Sequence, residues 1–83
     1  MTTPLSRTIL AALKSGDEKR IHQEMLGMAD EADDHVWSAI AFYQRGNGMH
    51  ANLELAMAQR SIAILGEIID RALKGGEDDA ETD

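Results

Sequence analysis

The sequence predicts an all-α fold: a short N-terminal helix followed by a long antiparallel helical hairpin, assembled into a helical-bundle homodimer or higher oligomer. Three observations carry that expectation. Residues 18–45 and 49–74 contain no proline and place apolar side chains every three or four positions, the period of a helix face and not of a strand. Gly46-Asn47-Gly48 separates the two stretches with a connection short enough to force a reversal. The second stretch also carries more apolar surface than one neighbouring helix covers.

The first helix, about residues 4–15, is expected to start from Thr3 as cap and Pro4 at the first helical position. Leu5, Ile9 and Leu13 then recur every four residues until Ser15-Gly16 stops the run. Asp17 caps the second helix, which runs through about residue 45, a length of ~40 Å. Its inward seam reads Ile21, Met25, Met28, Ala32, His35, Ala39, Phe42, alternating steps of four and three. The third helix, about 49–74, ends at Gly75-Gly76. It repeats the same steps through Ala51, Leu55, Ala58, Ile62, Leu65, Ile69 and Ala72, which suits left-handed packing on the second helix.

A second apolar line on the third helix, Leu53, Met57, Ile64 and Ile68, falls on another side and is assigned to the oligomer interface. The need for more burial is general. A chain of 83 residues hides only about 60% of its unfolded surface, which leaves stability thin unless another copy or a partner adds to the core. With no cysteine, packing alone must hold it. Residues 1–76 are expected to form a single helical domain, and 77–83 a disordered acidic tail with nothing apolar to bury.

The formal net charge of −7 is concentrated at that end: five of 15 acids lie in the tail, leaving 10 acids against 8 bases in residues 1–76. The eight bases are scattered, which argues against a surface that tracks phosphates, so no nucleic-acid partner is expected. No run approaches the ~18 apolar residues of a membrane span, and a soluble, cytoplasmic protein without a membrane partner is the simplest expectation.

The stretch Asp30-Glu31-Ala32-Asp33-Asp34-His35-Val36-Trp37 is the most distinctive in the chain. Glu31 and His35 share a helix face, but a carboxylate-bundle metal site needs Glu-x-x-His on one helix with carboxylates facing it from others. Glu54, Glu67 and Asp70 are expected to lie too far along the hairpin to serve. Folding about Asn47 pairs positions whose numbers sum to about 94, setting Gln59 and Arg60 opposite Asp33, Asp34 and His35. The expectation is an Asp33 or Asp34 ion pair with Arg60, and no metal. Trp37 lies outside the seam in line with Leu26. With Asp33 and Ala41 it forms the candidate partner-binding patch, since interfaces are enriched in tryptophan. At the hairpin tip, Tyr43, Arg45 and His50, with Arg60 supplied across chains, are candidate ligand-binding residues for an anion or nucleotide.

No cysteine nucleophile exists and no Ser-His-Asp arrangement follows from spacing, so no catalytic residues and no cofactor are assigned. The sequence is therefore read as a small non-catalytic helical oligomer that binds itself and another protein, as adaptor, inhibitor or regulatory subunit. The alternative is a small-molecule or nucleotide binder that uses pockets between chains.

Overall fold

A computed structural model describes residues 5–74, and among them there are helices and the short turns that join them, with no strand. Three helices follow in order: α1 (Arg7–Ser15), α2 (Glu18–Gln44) and α3 (Gly48–Leu73). Pro4 and the expected acidic tail lie outside the described residues. None of the helices described is long and apolar enough to cross a membrane.

Each helix start is fixed by a side-chain oxygen that accepts one of the backbone N–H groups the first turn leaves free. Ser6, extended at φ −68° and ψ 161°, accepts from Ile9 N at 3.2 Å. This corrects the start of α1: Leu5 and Ser6 are not helical, and the cap is Ser6 in place of Thr3. Asp17 Oδ1 accepts from Lys19 N at 3.0 Å, and Asn47 Oδ1 from His50 N at 3.1 Å. Gly46, at φ 77°, makes the left-handed turn that ends α2 and donates to Tyr43 O at 2.9 Å.

α2 and α3 form the principal packing contact. Their cross-helix pairs run in opposite order along the two helices: Phe42 against His50, His35 against Glu54, Glu31 against Ser61. That order is the signature of an antiparallel hairpin. The slab is 18 Å through its thinnest direction, about two helix layers. Its interior is made of small residues. Of seven buried apolar residues, five are alanines, Ala12, Ala32, Ala39, Ala51 and Ala58, with Ile9 and Ile68 the only larger ones. The expected α2 seam faces inward: Ala32 and Ala39 are buried, and Ile21, Met25, Met28, His35 and Phe42 are half-buried.

On α3 the inward face is rotated from the expected one, keeping Ala51, Ala58, Leu65 and Ala72 but replacing Leu55, Ile62 and Ile69 with Glu54, Ser61 and Ile68. The inward line is Ala51, Glu54, Ala58, Ser61, Leu65, Ile68 and Ala72, none of them exposed. Leu55, Ile62 and Ile69, expected in the intrachain seam, keep 43%, 55% and 40% of their surface exposed. Ile68, expected at an oligomer interface, is 0% exposed within one chain, and Ile64 is half-buried. Leu53 and Met57 remain exposed. The cause is α1. Its Ile9, with Leu5 and Ser6 just before the helix, lines a cleft together with Met57 and Ile64 of α3 and Met28 of α2, and Ile64 and Ile68 turn to that side. Polar partners support the same rotation, because His35 and Glu31 meet Glu54 and Ser61 on that side.

Candidate functional site

Three places on this scaffold gather side chains able to bind something, and each follows from how the helices turn. The first is the outer side of α2, away from α3. Leu26, Asp33, Trp37 and Ala41 are spaced by seven, four and four residues, which stacks them along one stripe of the helix. Trp37 is 64% exposed and Leu26 52%. Asp33 is exposed and Ala41 half-buried. The structure thus brings the four expected partner-binding residues onto one surface and leaves the indole uncovered within the chain.

The second is the cleft under α1, about 550 Å³, lined by Ile9 of α1, by Leu5 and Ser6 just before it, and by residues of both long helices. Its lining mixes apolar and polar side chains. His35 Nδ1–H donates to Glu54 Oε1 at 2.7 Å, with the two side chains 26% and 21% exposed. That bond fixes the imidazole ring and leaves Nε2 free. The hydroxyl of Ser61, 3% exposed, donates to Glu31 at 3.4 Å, a long contact that still satisfies a buried polar atom. Arg60 lines the same cleft.

These contacts correct the expected electrostatics. Among the described residues the ion pairs are Arg71–Glu67 and Lys74–Asp70, and His35 hydrogen-bonds to Glu54, so neither Asp33 nor Asp34 bridges to Arg60. Asp33 and Asp34 are exposed, Asp33 on the outer side of α2 away from α3, and the register also differs from the expected one. The cross-helix pairs sum to 89 for His35 with Glu54 and 92 for the other two, which places Glu54, and not Gln59, against His35. Glu31 stays exposed while it borders the cleft and accepts from Ser61. No group of three or more His, Asp or Glu side chains able to hold a metal occurs among the described residues.

The four expected ligand-binding residues, assigned to a site across chains, lie apart within one chain. Tyr43 borders a groove between α2 and α3, while Arg60 lies under α1 on the other side. The ring of His50 stacks on Phe42 with centroids 5.1 Å apart, and its Nδ1 is 3.2 Å from Asn47 Oδ1. Arg45 is exposed at the end of α2. The turn itself uses two of the tip N–H groups, Gly46 N and Asn47 N donating to Tyr43 O and Phe42 O at 2.9 Å each. No known protein family matches the chain, and no curated protein or solved structure does.

The third place is the side of the hairpin facing away from α1. A groove of about 410 Å³ lined by Val36, Ala39, Ile40, Tyr43, Ala51 and Leu55, with Gly48 and Asn52, carries no charged group. Beyond it Ile62 and Ile69 extend the apolar line along α3. Sequence spacing missed this surface by placing Leu55, Ile62 and Ile69 inside the hairpin. Only the polar residues Glu54 and Ser61, each with a possible partner on α2, carried a signal for the alternative rotation.

Proposed function

We propose that the protein is a small non-catalytic helical binding protein that self-associates and recognises another protein through Leu26, Asp33, Trp37 and Ala41. One observation supports this above the rest: the largest apolar ring in the chain, Trp37, is 64% exposed while the interior is built from alanine. Solvating a tryptophan forgoes the burial that such a thin core most needs, and exposed aromatic anchors beside an acidic rim are the usual chemistry of a protein-binding hot spot. Asp33 beside the ring adds a charge that favours a basic partner and speeds encounter more than it strengthens the final complex.

The test is affinity capture from the native host, followed by titration of the purified captured protein. Trp37→Ala is expected to weaken that complex by about 30-fold, with helical content unchanged. Equal affinity of variant and parent for every captured protein would refute this function.

A second reading, binding of a small molecule, is favoured by the cleft beneath α1. An imidazole held by a carboxylate, a guanidinium and five apolar side chains line it. An amphipathic acid fits that combination. A thermal-shift panel of such acids distinguishes the readings: stabilisation lost in Arg60→Ala supports the cleft, and a flat panel removes it.

A further inference from the structure

The hairpin has two broad sides, and only one is covered by its own chain. Around α2, Met28 and His35 lie one way from the buried Ala32–Ala39 line and border the α1 cleft, whereas Val36 and Ile40 lie the other way. On α3, Leu55, Ile62 and Ile69 recur every seven residues on that second side, forming a straight apolar stripe whose members stay 40–55% exposed. This is the periodicity of a helix that packs along another helix, and within the chain nothing occupies the partner position.

We propose that this uncovered side is the interface between two copies of the chain, which stack face to face so that each α1 lies on the outside. The proposal rests on the self-association in the function stated above and moves it off the Leu53, Met57, Ile64 and Ile68 line, of which the chain itself buries Ile68 and half-buries Ile64. Several features select a second copy as the occupant. A hairpin of two helices about 40 Å long and about 20 Å wide presents about 800 Å², the share each partner contributes to a standard interface. The groove at its tip end has no charged lining, so two acidic chains that meet there set no like charges against each other in that groove. An identical hairpin supplies a stripe of the same length and period, and a two-fold axis pairs the two stripes with each other. The resulting four central helices give each alanine-lined hairpin a large-residue core of the kind it lacks alone.

Sedimentation or light scattering at micromolar concentration is expected to give twice the 9.1 kDa chain mass. Ile62→Glu places a charge inside the interface and is expected to raise the dimer dissociation constant by about 100-fold with helical content retained. Trp37→Ala is the control: it leaves the dimer intact, so loss of partner binding and loss of pairing are separate results. Because the chain has no cysteine, Ile62→Cys gives an independent readout that does not need a charged variant to fold. Its thiol is expected to react with a bulky maleimide about tenfold faster in dilute solution than at dimer-forming concentration. A monomeric parent protein, a dimer that Ile62→Glu leaves as tight as before, or a thiol rate independent of concentration overturns the proposal.

Discussion

On the α1 side of the hairpin, Ile9 and Ala12 of α1 are buried and Ile64 and Ile68 turn inward to meet them; on the opposite side, Ile40, Leu55, Ile62 and Ile69 keep two-fifths or more of their surface in water. Both sides are built from the same aliphatic residues at the same helical spacing. What separates them is the nine-residue α1 and two polar contacts, His35 with Glu54 and Ser61 with Glu31, all on one side. Hydrophobicity makes both lines of α3 eligible for burial, and it is the short helix and the polar partners that decide which one is buried within the chain. A core of alanines follows from this choice, since small residues at the α2–α3 contact let the helices approach while the large ones point up or down out of the slab.

The sharpest way to break this contrast is to truncate one isoleucine on each side. Ile68→Ala removes the one large side chain that is fully buried and is expected to cost about 3 kcal/mol, a fall of roughly 15 °C in midpoint by circular dichroism. Ile62→Ala, measured in solution dilute enough to be monomeric, is expected to cost under about 1 kcal/mol because its side chain is already 55% exposed. Equal losses at the two positions would mean that the two sides are not different within a single chain.

A smaller effect probes the polar contacts. Glu54→Ala leaves His35 Nδ1–H without its acceptor in a half-buried position and is expected to cost about 1 kcal/mol. Glu54→Gln keeps an acceptor oxygen at the same place and is expected to recover most of that loss. Urea unfolding of both variants checks the pair. If Gln is no better than Ala, hydrogen bonding at His35 does not hold the rotation of α3.

The helical class, the Asp17 cap and the inward seam of α2 were legible from spacing alone, because Ala32 and Ala39 alternate with larger residues along one unmistakable face. The face of α3 was not. Ala51, Ala58, Leu65 and Ala72 are common to both possible seams, and the choice between the 54, 61, 68 set and the 55, 62, 69 set rests on contacts with other helices that periodicity does not contain. Hydropathy favoured the wrong set, since it scores Leu55 and Ile62 above Glu54 and Ser61 and has no means of seeing His35 and Glu31 waiting across the hairpin. The Trp37 patch was legible as one stripe of α2 because it depends on a single helix. The ligand set of Tyr43, Arg45, His50 and Arg60 depended on an arrangement across chains that a single chain does not contain, and the turn that ends α2 uses the N–H groups of Gly46 and Asn47 itself.

The finest test of the two sides uses two glycines that interrupt the long helices. Gly66 lies one turn from both Ile62 and Ile69 on the uncovered side, and Gly27 lies beside Met28 on the other side of α2. A Cβ added at either position meets nothing within 4 Å in the single chain. Gly→Ala at each site is therefore expected to stabilise the isolated chain by up to about 1 kcal/mol, the helix-propensity difference. The two variants should part company as concentration rises. Gly27→Ala keeps its gain, because nothing is proposed to pack there. At Gly66 a second hairpin lying along Ile62 and Ile69 approaches the bare backbone, so the added methyl presses on it and the gain shrinks or reverses as dimer forms. Thermal midpoints of both variants across a dilution series measure this difference directly. Parallel gains at all concentrations would leave Gly66 outside any interface and point to a different side of the hairpin as the place where chains meet.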